Sequence, residues 1–81
     1  MTISVRLFAA IREAAGADRV DLSLPGGATI AEVREALCLA YPSVAKVTRA
    51  AAFAIDGEYA SIDAVVGCGA EVAAIPPVSG G

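Results

Sequence analysis

The 81-residue sequence contains no histidine and no tryptophan, and only two cysteines, Cys38 and Cys68. Without histidine, the Ser–His and Cys–His arrangements that activate a nucleophile are excluded. Two cysteines so far apart leave no set of zinc ligands, and they are too few for a disulfide scaffold. We therefore expect no metal site and no catalytic machinery of the chain's own.

Basic residues are also scarce, with six Lys and Arg against nine Asp and Glu and a net charge of −3. Nucleic-acid and anionic-membrane surfaces need clustered basic side chains, which this sequence lacks. No stretch approaches the roughly 20 apolar residues of a membrane span. The alternating N-terminus, MTISVRLF, is typical of a strand and not of a signal peptide. The sequence thus predicts a cytoplasmic protein that binds neither nucleic acid nor membrane.

Strands are predicted in five segments from alternation, turn residues and β-formers. In the first, Ile3, Val5 and Leu7 point to one side, and Arg6 and Phe8 to the other. Asp56-Gly57 separates the third strand from the fourth and is a strong signal for a two-residue hairpin turn. The predicted strands cover residues 2–8, 19–24, 50–56, 58–60 and 71–75.

Two helices are predicted, a short one over 9–15 and a longer one ending before Pro42, because the residue before a proline avoids helical angles. The longer helix begins with a capping box, in which the side chains of Thr29 and Glu32 each accept a backbone N–H. Residues 42–49 are predicted to form a loop with a short helical turn. One buried stripe follows from the helical spacing of Ile30, Val33, Leu37 and Tyr41.

A chain of this length allows one domain, whose long helix must cover one face of its sheet. We expect an α+β fold of the β-grasp (ubiquitin-like) type, with the first and last strands adjacent and central. The mixed sheet has about four to five strands with the one long helix packed across it, although other small α+β arrangements fit the same order. The predicted domain covers residues 1–75, and residues 76–81 form an extended, flexible tail.

Most residues that resemble catalytic groups have a simpler interpretation. Gly26-Gly27 lacks the Lys-Ser/Thr that completes a phosphate loop. Asp56 is expected to serve the turn. Cys38 is expected to be a small core residue, and Cys68, between two glycines, to be exposed and open to oxidation without being catalytic.

The last six residues, Pro76-Pro77-Val78-Ser79-Gly80-Gly81, differ from an ordinary polar end. The two prolines favour an extended path, and the two glycines remove side chains from the tip. Ordering six loose residues costs about 6–12 kcal/mol, and the prolines reduce that cost by restricting the free tail beforehand. The pattern predicts a tail threaded into a narrow site; a random flexible end is the alternative.

The reacting group of such a tail would be the carboxylate of Gly81. Because hydroxide leaves poorly, the acid must first be activated, most economically by ATP as an acyl-adenylate. A sulfur donor then displaces AMP and leaves a thiocarboxylate, whose sulfur is a soft, tethered nucleophile. A side chain at position 80 or 81 would collide with a tunnel sized for bare backbone.

The sequence resembles the small subunit of molybdopterin synthase, the MoaD-like sulfur carriers, over its whole length. Gly-Gly alone is shared with the thiamine sulfur carriers and with ubiquitin, so the longer terminal motif is the specific part. The matching residues are Phe8-Ala9, Arg12-Glu13, Gly16, Asp56-Gly57, Glu71-Val72-Ala73 and Pro76-Pro77-Val78-Ser79-Gly80-Gly81.

The resemblance implies a β-grasp carrier activated by an adenylating, ubiquitin-activating-like enzyme and supplied by a sulfur donor protein. ATP is consumed by that enzyme, and no cofactor stays bound to the carrier. The tail enters the large synthase subunit, where the thiocarboxylate gives its sulfur to cyclic pyranopterin monophosphate to make the dithiolene of molybdopterin. The implied assembly is a heterotetramer of two small and two large subunits.

The resemblance also implies roles for particular residues. Gly81 carries the sulfur, and Gly80 leaves the tunnel clear. An apolar docking patch is expected at Phe8, Tyr59 and Ile75. The remaining tail residues, Pro76, Pro77, Val78 and Ser79, are expected to bind the partner.

Two positions depart from the pattern of the family. Asp56 stands where an Asn is frequent, and Cys68-Gly69-Ala70 replaces an Asp-Gly-Asp turn. Both lie in turns, so we expect local effects and a retained carrier role. Two other functions stay open from the residues alone: a sulfur carrier for thiamine, a thiolated tRNA or an amino acid, and a ubiquitin-like binding module whose tail never reacts.

Overall fold

The computed structural model describes residues 1–77, so the predicted tail residues Val78, Ser79, Gly80 and Gly81 lie outside the described part. The described chain forms five strands, three α-helices and one 3₁₀ turn. The strands are β1 (Thr2–Leu7), β2 (Arg19–Ser23), β3 (Ala52–Ile55), β4 (Glu58–Ala60) and β5 (Glu71–Ile75). The helices are α1 (Ala9–Ala15), α2 (Ile30–Ala40) and α3 (Ala45–Arg49), with the 3₁₀ turn at Pro42–Val44.

The strands form one mixed sheet in the order β2-β1-β5-β3-β4. Strands β1 and β5 run parallel at its centre, and the other neighbours are antiparallel. The prediction of an α+β fold of the β-grasp type, with the first and last strands adjacent, is confirmed. The predicted division into a domain over 1–75 and a tail over 76–81 stays a prediction.

Alternation along the strands gives the sheet one buried face and one open face. Val5 is aligned with Val20 on one side and Val72 on the other, and all three are buried. The predicted inward set of β1 is confirmed, since Ile3 and Leu7 are buried as well. Burial of this face against the helices supplies the main favourable free energy of folding.

Helix α2 begins at the predicted capping box. The Thr29 hydroxyl accepts the backbone N–H of Glu32 at 3.3 Å, and the Glu32 carboxylate accepts the backbone N–H of Thr29 at 3.0 Å. Its buried stripe contains Ile30, Val33 and Leu37, together with Cys38 as predicted. Tyr41 lies just beyond the helix end and is only half-buried.

The segment after α2 is more regular than predicted. Residues 42–49, expected to be a loop with a short turn, form the 3₁₀ turn and all of α3. Val44 and Thr48 of this segment are fully buried. A five-residue helix is too short to be stable by itself, so its packing on the core, which the local sequence does not reveal, holds it in place.

Strand β3 begins two residues later than predicted, because the backbone N–H groups of Ala50 and Ala51 donate to carbonyls of α3. The Asp56-Gly57 turn is confirmed, with positive φ angles of 49° and 87° at its two central residues.

None of the helices formed by residues 1–77 is long and apolar enough to cross a membrane.

One ion pair joins α3 to α2 at the surface. The Arg49 guanidinium donates to a carboxylate oxygen of Glu35 at 2.6 Å. This hydrogen bond, together with the attraction between the two charges, raises the pKa of Arg49 above its ordinary value.

Candidate functional site: two adjoining grooves at the end of the last strand

The open face of the sheet carries a row of aligned residues that runs across four strands. Arg6 is paired with Ala73, Ala73 with Ala54, and Ala54 with Tyr59. The two alanines in the middle have the smallest side chains of the row, and larger side chains stand on either side of them. The consequence is a trough across the face.

We call this trough the sheet-face groove; its volume is ≈ 290 Å³. Its walls combine apolar, aromatic and charged groups. Phe8 stands at one side, 36% exposed, and Tyr59 at the other, 75% exposed. The residues that line it are Arg6, Phe8, Ala54, Gly57, Tyr59, Glu71, Ala73 and Ile75.

The charges beside the sheet-face groove are paired with one another. The Glu71 carboxylate lies 3.8 Å from the Arg6 guanidinium and 3.5 Å from that of Arg19. The Arg6 guanidinium also lies over the ring of Phe8, 5.4 Å from its centroid. Exposed pairs of this kind contribute little to stability. The Arg6 guanidinium also attracts the ring of Phe8, which lies at the edge of the groove.

A second groove lies where the chain leaves β5, and we call it the tail-root groove. It is formed between the start of α1, α3 and the residues after β5, and its volume is ≈ 640 Å³. Every residue of its wall is apolar, and Phe8 and Ile75 belong to both grooves. The residues that line it are Phe8, Ala9, Ala10, Val47, Ile75, Pro76 and Pro77.

The structure brings the predicted docking residues together. Phe8, Tyr59 and Ile75 line the one sheet-face groove, although they come from the end of β1, from β4 and from β5. Pro76 and Pro77 line the adjoining groove. Their role in binding a partner stays a prediction, and the predicted roles of Val78, Ser79, Gly80 and Gly81 concern residues outside the described part.

Sequence reasoning missed several residues of these grooves. Ala9 and Ala10 follow Phe8 directly, so their proximity to it was readable from the chain. Val47 had no such signal, because its position depends on α3, which was predicted only as a turn. Alternation placed Arg6 on the same face as Phe8, but its ion pair with Glu71 depends on the register of β1 with β5.

The strand order and the parallel central pair define a ubiquitin-like β-grasp protein. A solved structure, SAMP1 from Haloferax volcanii, matches over 100% of both chains with a TM-score of 0.87 and 30% sequence identity. The chain belongs to the ThiS family, whose model matches residues 5–81.

Two curated relatives have the same name, molybdopterin synthase sulfur carrier subunit. The one from Arabidopsis thaliana is 38% identical over 79 residues, which are 98% of this chain and 82% of the relative. The one from Chlamydomonas reinhardtii is 35% identical over 83 residues and is matched over 100% of both chains. The resemblance drawn from the sequence is thereby confirmed.

Proposed function

We propose that this chain is the sulfur carrier subunit of a molybdopterin synthase, with Gly81 as the residue that carries the sulfur. The observation that carries the proposal is the full-length match to two relatives of that name. The structure supports it, because β5 ends at Ile75, and the next two residues, Pro76 and Pro77, line an apolar groove.

The proposed chemistry has two steps on the carrier. The Gly81 carboxylate attacks the α-phosphorus of ATP and displaces pyrophosphate, which gives the acyl-adenylate. Sulfide, as HS⁻, then attacks the acyl carbon and loses its proton to solvent, and AMP leaves with the bonding electrons of the broken C–O bond. The product is a C-terminal thiocarboxylate, a net exchange of one oxygen for sulfur at the cost of one ATP.

In the last step the thiocarboxylate sulfur attacks a carbon of cyclic pyranopterin monophosphate, and an oxygen substituent of that carbon leaves with the electrons of the broken C–O bond. Water then hydrolyses the acyl–sulfur bond, which leaves the sulfur on the substrate and returns the Gly81 carboxylate. Because a dithiolene holds two sulfur atoms, two loaded carriers are used for each molybdopterin. The chain takes part in this reaction as a co-substrate and not as the catalyst. With six Lys and Arg against nine Asp and Glu, it has little positive charge to hold an anionic substrate. We therefore assign the substrate-binding basic groups to a large subunit.

The partners in this proposal are an adenylating enzyme of the ubiquitin-activating type, a sulfur donor protein and the large synthase subunit. The adenylating enzyme uses the ATP, so the carrier holds nucleotide only transiently, as its acyl-adenylate, and keeps no cofactor. The assembly is a heterotetramer of two small and two large subunits in the cytoplasm. The patch of Phe8, Tyr59 and Ile75 supplies an apolar docking surface, because its side chains are open to a partner on the uncovered face of the sheet.

Intact-mass spectrometry tests the first half of the proposal. The full chain is incubated with ATP, a sulfide source and the adenylating enzyme of the same organism. We expect a gain equal to the exchange of one oxygen for sulfur, located at Gly81 by fragmentation. No gain, with an enzyme shown to load another carrier, would refute the carrier role and favour a binding module whose tail never reacts.

A second experiment tests the acceptor. The thiocarboxylated chain is mixed with the large subunit and cyclic pyranopterin monophosphate, and the dithiolene product is measured. We expect molybdopterin to form and the chain to return to its original mass. A loaded chain that gives no product with an active large subunit would instead assign it to another sulfur pathway, such as thiamine, a thiolated tRNA or an amino acid.

A further inference from the structure

The distance between the grooves and the reacting group limits how a partner can bind. Four residues lead from Pro77 to Gly81, and a chain of four residues spans at most about 14 Å even when fully extended. An enzyme that holds the Gly81 carboxylate at its ATP site must therefore come within that distance of Pro77. Since Pro77 is part of the wall of the tail-root groove, such an enzyme must approach this groove closely.

The chemistry of the wall indicates what the enzyme presents there. The tail-root groove is lined by apolar side chains alone, whereas Arg6 and Glu71 line the sheet-face groove. A polar or charged side chain would lose its hydration in the tail-root groove without gaining a hydrogen bond from a wall side chain. A leucine, methionine or phenylalanine would fit into part of this groove and bury apolar surface on both sides.

We propose that the tail-root groove receives an apolar side chain of the adenylating enzyme, and that Ala10 of α1 and Val47 of α3 are binding residues for that enzyme. The inference rests on the proposed function, since it needs an enzyme that holds Gly81. The proposal adds residues of two helices, α1 and α3, to a docking surface otherwise formed by strand and tail residues. Phe8 and Ile75 connect the two parts, because they line both grooves.

Ala10 allows a test that leaves the fold intact. Its side chain is exposed in the first turn of α1, so a larger residue meets solvent in the free protein. In the variant Ala10→Glu, the new carboxylate is also favoured by its position near the helix N-terminus. The matched control is Ala14→Glu, which places the same charge on an exposed position of the same helix that lines neither groove.

The measurement is the initial rate of thiocarboxylate formation at a series of carrier concentrations, with ATP, sulfide and the adenylating enzyme. We expect Ala10→Glu to raise the KM for the carrier about tenfold, the size typical of a lost binding residue, with kcat changed less than about twofold. Ala14→Glu keeps the KM of the wild-type chain. An unchanged KM for Ala10→Glu, or an equal rise in the control, would overturn the inference.

Val47 is half-buried, so the second variant replaces it by a side chain of the same shape, which avoids disturbing the packing around it. Val47→Thr replaces one methyl group by a hydroxyl of nearly equal size and makes one point of the wall polar. We expect a KM raised about three- to tenfold, with thermal unfolding used to show that the variant is folded. A folded Val47→Thr protein with the KM of the wild-type chain would remove α3 from the docking surface.

These outcomes are separate from a failure of the proposed function. If the wild-type chain gains no sulfur with an active enzyme, the carrier role itself is refuted. If the wild-type chain is loaded and both groove variants are loaded with the same KM, the carrier role stands and the docking inference fails.

Discussion

Asp56 forms hydrogen bonds with both backbone polar groups of Glu71. Its carboxylate oxygen Oδ1 accepts the Glu71 N–H at 2.9 Å, and its own N–H donates to the Glu71 carbonyl at 2.9 Å. Asp56 is the first central residue of the β3–β4 turn, and Glu71 is the first residue of β5. The turn residue therefore also fixes the start of the strand that leads to the tail.

This relationship predicts the effect of substitutions at Asp56. Asp56→Ala removes the acceptor and keeps the strained positive φ, so we expect a loss of about 1–2 kcal/mol in the free energy of unfolding. Asp56→Asn retains an oxygen acceptor and tolerates positive φ, so it should cost less than half as much. Urea denaturation measures both. Equal losses for the two variants would show that the acceptor contributes nothing.

The capping box predicts the contribution of Thr29. Thr29→Ala removes the hydroxyl that accepts the Glu32 N–H, and we expect a loss of about 1 kcal/mol in the free energy of unfolding. Thr29→Ser keeps the hydroxyl and is the matched control. If the serine variant is as unstable as the alanine variant, the methyl group and not the cap is responsible.

The buried hydroxyl of Thr48 predicts a stabilising substitution. Thr48 is fully buried, and its Oγ1 has no hydrogen-bond partner among residues 1–77. Thr48→Val keeps the shape and removes the unpaired hydroxyl, so the free energy of unfolding should rise by about 1 kcal/mol. Thr48→Ser, which keeps the hydroxyl and leaves a cavity, should lower it. A less stable valine variant would mean that the hydroxyl has a hydrogen-bond partner after all.

We expect the side chain of Tyr59 to contribute to partner binding and hardly at all to the stability of the fold. Its ring is exposed on β4, and Tyr59→Thr removes it while keeping a good strand former. We expect the free energy of unfolding to change by less than about 0.5 kcal/mol and the affinity for the large subunit to fall about tenfold. Leu39→Gln, at an exposed apolar position on α2, is the control and should bind normally. Equal affinities for the two variants would exclude Tyr59 from the interface.

The proposed carrier role predicts that Gly81 tolerates neither a side chain nor a further residue. Gly81→Ala, or one residue added after Gly81, should abolish sulfur transfer and leave the urea denaturation curve unchanged. The curve is expected to be unchanged because the substitution falls six positions after Ile75, the residue at which the last strand of the sheet ends. Full sulfur transfer by either variant would contradict the role of the tail.

Local chemistry made most of the fold predictable. Alternation placed β1, β2 and β5 within one residue of their observed bounds, and the Thr29–Glu32 pair marked the start of α2. The Asp56-Gly57 pair predicted its turn, because few residues accept two successive positive φ angles. Helix α3 was missed because residues 45–49 have no side-chain cap, and their order comes from packing against distant parts of the chain.

The site was predictable only in part, because the grooves, like α3, depend on packing between distant parts of the chain. Alternation placed Phe8 on the face opposite the buried residues of β1, but the grooves depend on which strands become neighbours. Ala54 and Ala73 form the floor of the sheet-face groove only because β3 lies beside β5. Nothing in the local sequence of α3 indicates that Val47 meets residues 8–10.

The central position of β5 has a consequence during synthesis on the ribosome. In the sheet, β5 lies between the antiparallel pair of β1 with β2 and that of β3 with β4, so the strand that joins the two pairs is missing until residues 71–75 have emerged. Folding is therefore delayed until the residues immediately before the tail are available. A nascent or truncated chain that lacks β5 also lacks Ile75, which lines both grooves, and so forms neither groove completely.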